Sequence, residues 1–180
     1  DTADAMVDWI RTHRDRLVAI GEVGLDRWAV QDEDAREVQR AIFLRSVALA
    51  RELDLPLNIH SRSAGRRAVE TLLDVGATRV HLHAFDGRAA AAMPAVEAGF
   101  VFSVPPTIVR TAQKRKLVRR LPLTSLMLES DSPVLGPDPG ERNEPANVRI
   151  ALQEIAVLHG VSEDEVAETT TANATRFYRL

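Results

Sequence analysis

An apolar run that stops at an acidic residue between two glycines is the feature that most constrains the fold of this chain. The run LVAIGEVGLD occupies residues 17–26 and places Glu22 between Gly21 and Gly24. A short, nearly continuous apolar run is typical of a buried strand in a parallel sheet. Because a carboxylate loses hydration at the end of such a strand, it needs a partner, and a metal ion suits it. We therefore predict that Glu22 ends a buried strand in a metal site.

The same pattern recurs at three later apolar runs. LPLNI is followed by His60, RVHL by His83, and LMLES by Asp131. A single polar residue after a strand is usually a hydrogen-bonded structural group, but four successive runs that end in metal-capable side chains favour one shared site. A further apolar run, FVFSV at residues 100–104, carries no obvious ligand.

Helical patterns separate these runs. The long pattern over residues 33–53 has a broad apolar face that includes Val38 and Ile42, and in the first helix Met6 and Trp9 are spaced to share a face. Six further helices are predicted. The first spans residues 3–14 with an N-cap at Asp1-Thr2, the second runs through 69–73 and stops at Gly76, and the third is alanine-rich and ends near Glu97. A basic helix over 107–120, a helix over 145–159 and a helix capped by Ser162 follow.

Alternating strands and helices with short connections indicate right-handed β/α units and a parallel sheet. An open doubly wound sheet would place its ligands near one switch point, whereas a barrel collects them from several strand ends. Polar residues two positions apart, such as His81 with His83 and Glu129 with Asp131, favour the polar mouth of a barrel. We predict an α/β fold in one domain over residues 1–180, a TIM-type (β/α) barrel that is incomplete because it has five strands instead of eight.

Composition limits the chemistry of the site. The chain has 180 residues, a formal net charge of -3 and no cysteine, so disulfides and thiolate metal sites are excluded. Nitrogen and oxygen ligands suit zinc, manganese and magnesium. The net charge argues against a globally basic nucleic-acid binder. No apolar run approaches the roughly 20 residues that span a bilayer and no leader is evident, so we expect no membrane contact and a cytoplasmic location.

Four sequence blocks occur in a specific order: GEVGLD at residues 21–26, LPLNIHSR at 55–62, HAFDG at 83–87 and ESDSP at 129–133. Together they resemble the signature blocks of the TatD family of metal-dependent DNases, in the amidohydrolase-like barrel superfamily. Ala84 stands where that family often has Cys, and Asp86 where it often has Ser. The family's first strand carries a His-x-His pair, and no such pair precedes Glu22 here. The resemblance therefore implies that the five strands are the fourth to the eighth of the barrel.

The resemblance also implies a divalent-metal phosphodiesterase that acts on DNA, with Glu22, His60, His83 and Asp131 as metal ligands. Two divalent ions about 3.5–4 Å apart suit phosphodiester cleavage, and we expect two ions of Mg, Mn or Zn. Glu22 would bridge them, and Asp131 would also accept the proton of the attacking water. Glu22 and Asp131 are thus the predicted catalytic residues.

Four further residues are candidates for supporting roles. Asp26 and Glu129 are predicted to orient the imidazoles, although Asp26 could instead be a turn residue and Glu129 could pair with an interior base. Arg62 could hold a phosphate oxygen or only cap a loop. Trp28 is the best candidate for stacking on a base.

Two other features allow more than one interpretation. His81 has the spacing with His83 by which a strand can aim two imidazoles at one metal, but a buried hydrogen-bonded histidine is the commoner explanation. A basic run could follow a nucleic-acid backbone or simply form a solvated face; it comprises Lys114, Arg115, Lys116, Arg119 and Arg120, with Arg66 and Arg67 beside the His60 loop.

Three functions remain open at this point. The first is a nuclease that hydrolyses DNA with little sequence preference. The second is an amidohydrolase or esterase that acts on a small molecule with the same metal platform. In the third, the chain is a non-catalytic fragment that folds only with a partner supplying further strands, and exposed barrel edges would then favour self-association.

Overall fold

A computed structural model describes residues 2–180 and contains one parallel sheet with five strands in that part of the chain. Each strand pairs with its neighbours in sequence, so the order is sequential and never reverses. This order is that of a TIM-type barrel and differs from a doubly wound sheet. The predicted TIM-type α/β fold is confirmed, and the incompleteness of the barrel stays a prediction. The strands are β1 (Ile20–Gly24), β2 (Leu57–His60), β3 (Val80–Leu82), β4 (Val101–Val104) and β5 (Leu126–Leu128).

Helices connect the strands much as the sequence predicts. The basic helix predicted over 107–120 is wrong in its first part, because a 3₁₀ turn at Pro106–Arg110 comes first and Thr111 is extended. The predicted cap at Ser162 is confirmed, since its side chain accepts from the Glu165 amide. The cap predicted at Asp1 lies outside the described residues. The α-helices are α1 (Thr2–Thr12), α2 (Glu33–Leu53), α3 (Gly65–Asp74), α4 (Ala89–Glu97), α5 (Ala112–Val118), α6 (Val148–His159) and α7 (Glu163–Tyr178).

The sheet has one apolar and one largely polar face. Ile59, Leu82, Phe102 and Leu126 lie in register across four strands and are fully buried in the hydrophobic core. Because side chains alternate along a strand, the residues between them face the other way. The predicted polar residues of β2, β3 and β5 therefore share the second face and meet at the carboxyl ends of the strands. No helix of the described residues is long and apolar enough to cross a membrane.

The glycines on either side of Glu22 let β1 approach β2 closely. A Cβ added at Gly24 would lie 1.9 Å from the carbonyl oxygen of His60, and one at Gly21 would lie 2.7 Å from Cβ of Asn58. Neither position has room for a side chain. The glycines thus bring Glu22 up against the strand that carries His60.

The predicted apolar faces of α1 and α2 are wrong in part. Met6 and Trp9 are about half exposed, and Val38 is 61% exposed, whereas Val7 is the buried residue of α1. The physical reason is position: α2 covers β1 at one edge of the sheet and α1 packs on α2, so each helix keeps an exposed side. Self-association through such an edge stays a prediction.

The end of α7 reaches the polar face of the sheet below the strand ends. The hydroxyl of Tyr178 lies 2.6 Å from Nδ1 of His81, a contact between residues 97 positions apart. Burial lowers the pKa of His81 to about 4 and raises the pKa of Tyr178 to about 12. His81 is therefore neutral at pH 7 and is engaged by a phenol, which supports its interpretation as a buried hydrogen-bonded histidine.

We expect stability to fall as the pH is lowered from about 6.5 towards 4. In this window the unfolded chain protonates His81, whose ordinary pKa is 6.5, while His81 of the folded chain stays neutral down to a pH of about 4. The unfolded state thus binds more protons, and the free energy of unfolding falls by roughly 3 kcal/mol over the window. Urea unfolding at several pH values measures this slope. His81→Gln should remove most of it, and a variant with the parent's slope would contradict the account.

Candidate metal centre

Three of the predicted ligands meet at the carboxyl ends of β1, β2 and β3. Oε1 of Glu22 lies 2.6 Å from Nδ1 of His60 and 3.3 Å from Nε2 of His83. One ligand atom from each residue lies within 4.8 Å of the others, which is close enough for one metal ion to contact all three. Three strand ends thus supply a carboxylate and two imidazoles to one point.

Asp131 follows β5 and faces the same point. Its Oδ1 lies 3.9 Å from Nε2 of His83, so the structure brings it beside the other three predicted ligands. Burial raises the pKa of Asp131, and the negative charges of Glu129 and Glu22 raise it further against the opposing effect of His83. The site therefore holds an excess of negative charge that a cation would offset.

Each imidazole is held from behind by its own carboxylate. Oδ2 of Asp26 lies 2.9 Å from Nε2 of His60, and Oε2 of Glu129 lies 2.6 Å from Nδ1 of His83. Such contacts fix the orientation and the tautomer of a ring, so that its other nitrogen is available as a ligand. In both rings, that other nitrogen is the one that faces Glu22.

Glu129 is the centre of the more buried network. Its second oxygen accepts from the backbone amide of Ala84, and the hydroxyl of Ser103 donates to Oε2 at 2.6 Å. Burial favours neutral Glu129, but the contacts with His83 and Ser103 outweigh it and lower the pKa of Glu129. Burial likewise opposes protonation of His83, but Glu129 outweighs it and raises the pKa of His83. Sequence analysis assigned no such role to the strand that carries Ser103.

Asp26 combines two of the roles that its position predicts. Besides contacting His60, it accepts the backbone N–H groups of Trp28 and Ala29 through Oδ1, at 2.9 and 2.7 Å. Burial raises the pKa of Asp26, but these amides and His60 outweigh it and lower that pKa. Asp26 is therefore an ionised residue that ties the loop after β1 to the imidazole of β2.

Trp28 and Arg62 form one unit at the edge of the site. Cζ of Arg62 lies 3.6 Å from the centroid of the Trp28 ring, a distance that indicates a cation–π contact. Trp28 remains 60% exposed. The loops that carry these residues are also joined by a backbone hydrogen bond from Arg27 to the Arg62 carbonyl. The two predicted substrate candidates thus lie side by side.

A cleft of about 840 Å³ opens over these residues, and three cations line it: Arg62, Arg110 and Lys114. Lys114 belongs to the basic run for which the sequence left two interpretations open, a contact with a nucleic-acid backbone or a solvated face. In the structure Lys114 is 9% exposed, and its Nζ donates to the carbonyl of Ala84 at 2.9 Å. Its spacing to the buried Leu117 and Val118 of the same helix was the available signal.

The donor set fits a divalent cation. Neutral imidazole nitrogen and carboxylate oxygen are ligands of zinc and of manganese, and carboxylates also suit magnesium. Both rings already present a nitrogen to the shared carboxylate, and burial together with the neighbouring carboxylates raises the pKa of Asp131. Asp26 and Glu129 already orient both rings towards Glu22.

Comparison with known proteins gives the relationship. The sequence model of the family described as "TatD related DNase" matches residues 1–179. The chain belongs to the TatD family. The resemblance inferred from the four blocks is thereby confirmed. The match includes every residue placed in the candidate metal centre.

TatD relatives of several kinds are similar to this chain. Human deoxyribonuclease TATDN3 is 51% identical over 178 residues, which cover 97% of this chain and 65% of that protein. YabD of Bacillus subtilis, named an uncharacterized metal-dependent hydrolase, is 34% identical over 100% of this chain and 73% of its own length. The chain spans 60% of the length of mouse TATDN3.

A solved structure supports the TatD fold. The crystal structure of YjjV, a TatD homolog from Escherichia coli, superposes with a TM-score of 0.87 at 28% identity. The superposition covers 98% of this chain and 71% of YjjV. The sheet and helices described above are therefore those of a TatD-type hydrolase fold.

We expect Glu129→Gln to weaken the binding of Mn²⁺ by about 10- to 100-fold, the usual cost of removing a group that orients a metal ligand. The amide cannot reproduce the charge that holds His83 and accepts from Ser103. Calorimetric titration measures the affinity, and Glu97→Gln, an exposed position on α4, is the matched control. Unchanged affinity in a folded Glu129→Gln variant would contradict the role assigned to this contact.

Proposed function

We propose that the chain is a divalent-metal-dependent hydrolase that cleaves phosphodiester bonds in DNA. The observation that carries the proposal is the convergence of Glu22, His60, His83 and Asp131, with each imidazole backed by a carboxylate. The name of human TATDN3 describes a deoxyribonuclease, and that of YabD describes a metal-dependent hydrolase. Both names agree with what such a site can do.

The four converging residues would hold the metal, and we keep the expectation of two ions of Mg, Mn or Zn as part of the proposal. When bound, a divalent ion supplies a Lewis acid for the phosphoryl oxygens and lowers the pKa of the attacking water. Glu22 would be a ligand shared by the ions, and the contacts of its Oε1 with both imidazoles support this role. Asp26 and Glu129 keep those imidazoles in place.

Asp131 is the residue proposed to accept the proton of the attacking water. It stands at the mouth of the site, and its side chain is 26% exposed, so water can reach it. Its raised pKa makes it a better proton acceptor than an ordinary aspartate. The carboxylate of Glu22 contacts both rings and is proposed to serve as a metal ligand.

The cations of the cleft are proposed to bind the phosphates of the substrate. Arg62 is held over Trp28, so its guanidinium lies beside the metal centre before substrate arrives. The exposed indole of Trp28 is available to stack on a base. Arg110 and Lys114 line the other part of the same cleft. A small-molecule amidohydrolase or esterase would favour a narrow apolar mouth, which three cations do not form.

The test is cleavage of an end-labelled single-stranded oligonucleotide by the 180-residue chain in Mg²⁺ or Mn²⁺. We expect cleavage that a chelator abolishes. Asp131→Ala should lower the rate by at least about 100-fold, because it removes a ligand and the proton acceptor together. Asp138→Ala, the same change at an exposed position of the same loop, should leave the rate unchanged.

Three results would count against this proposal. Activity retained in Asp131→Ala would contradict the ligand assignment. Metal-dependent hydrolysis of carboxylic esters or amides without cleavage of DNA would establish the amidohydrolase alternative. Absence of any hydrolysis would show that this chain alone is not a self-sufficient enzyme, as the fragment alternative states.

A cytoplasmic location stays a prediction from the sequence.

A further inference from the structure

A second cleft, lined by basic side chains, lies between α4 and α5. It has a volume of about 680 Å³, and four cations and no carboxylate line it within the described chain. The cations are Arg88, Lys116, Arg119 and Arg120. We call this second cleft the basic groove. The groove shares no lining residue with the cleft over the metal centre.

The four cations of the basic groove are exposed, and none forms an ion pair with another residue in the range 2–180. Arg115 of the same helix behaves differently, since it pairs with Glu154 at 3.0 Å. Ion pairing therefore neutralises one side of α5 and leaves the other side positive. Such a concentration of charge is notable in a chain whose net charge is -3.

The basic groove adjoins the cleft of the metal centre. Gln113 lines the groove, and the next residue, Lys114, lines the metal cleft. The side chain of Gln113 donates to the carbonyl of Asp86 at 2.7 Å, and Asp86 lines the metal cleft as well. The start of α5 is thus the ridge between the two clefts, with Arg110 and Lys114 on one side and the basic groove on the other.

We propose that the basic groove binds the sugar–phosphate backbone of a nucleic acid whose scissile bond lies in the metal cleft. This inference rests on the proposed function and extends it, because it adds a binding surface outside the metal cleft. A row of phosphates passing Arg110 and Lys114 would cross the start of α5 and meet Lys116, Arg119 and Arg120. Neutralising these phosphates releases counterions, so affinity depends strongly on salt.

The composition of the groove also indicates how selective the binding is. No aromatic side chain lines the basic groove in the described chain, so bases have nothing to stack on there. Its apolar members are two alanines and the buried Leu117, which gives no protruding side chain for insertion into lipid. The groove should therefore bind backbone without sequence preference.

The test compares two triple variants that carry the same change in charge. The groove variant combines Lys116→Glu, Arg119→Glu and Arg120→Glu. The matched control changes three exposed arginines on other elements and combines Arg16→Glu, Arg40→Glu and Arg149→Glu. Fluorescence anisotropy in a chelator measures the binding of labelled oligothymidylates of about 20 and about four nucleotides over a range of salt concentrations.

We expect the groove variant to bind the longer oligonucleotide at least about tenfold more weakly than the parent, with a salt slope smaller by about two. Its affinity for the short oligonucleotide should change little, because a few nucleotides fill only the metal cleft. The control variant should bind both within about threefold of the parent.

Equal weakening by the two variants would overturn the proposal, because net charge alone would explain it. Unchanged binding of the longer oligonucleotide by the groove variant would also overturn it. The proposal would also be overturned if polyglutamate competed with the labelled oligonucleotide as well as unlabelled DNA does. These outcomes are distinct from failure of the proposed function, because binding is measured without metal. A chain that binds through the groove but never cleaves contradicts the hydrolase assignment alone.

Discussion

The pairing of a buried carboxylate with a buried imidazole is the interaction on which the rest of this structure depends. Glu129 and His83 are 13% and 11% exposed, and each would be costly to bury alone. Together, with Ser103 and the Ala84 amide, they satisfy one another and shift each other's pKa towards the charged pair. The same arrangement recurs more openly at Asp26 and His60. The strand ends can therefore hold polar groups without disrupting the core behind them.

Much of the fold is predictable from the sequence because its signals are local. A run such as LPLNI followed by His60 marks a strand end whatever lies around it, and the apolar periodicity of 33–53 gives the bounds of α2 as the structure has them. Exposure is less predictable. Met6 and Trp9 share a helical face in the sequence, yet both stay about half exposed, because α1 packs on α2 at the edge of the fold. Periodicity identifies a face but does not supply its partner.

The candidate site likewise has parts that the sequence predicts and parts that it does not. Its ligand positions follow from strand ends, so Glu22, His60, His83 and Asp131 were all identifiable and the structure brings them together. Asp26 and Glu129 were predicted to orient the imidazoles, and the structure has them in contact with His60 and His83. Other contacts around the site join residues far apart in sequence, and no local pattern encodes them. The contact between His81 and Tyr178 is one such case, and that between Lys114 and the Ala84 carbonyl is another. Lys114 also shows that a basic run on a short helix can contribute one member to a site and leave the others exposed.

The most direct test of the account is anomalous X-ray scattering from crystals of the chain grown with Mn²⁺, recorded on both sides of the manganese absorption edge. We expect an anomalous peak among Oε1 of Glu22, Nδ1 of His60 and Nε2 of His83, with Asp131 beside it. Crystals of the Asp138→Ala variant should show the same peak, and those of Glu22→Gln should lose it. A peak elsewhere, or full occupancy retained in Glu22→Gln, would contradict the claim that these strand ends form a metal centre.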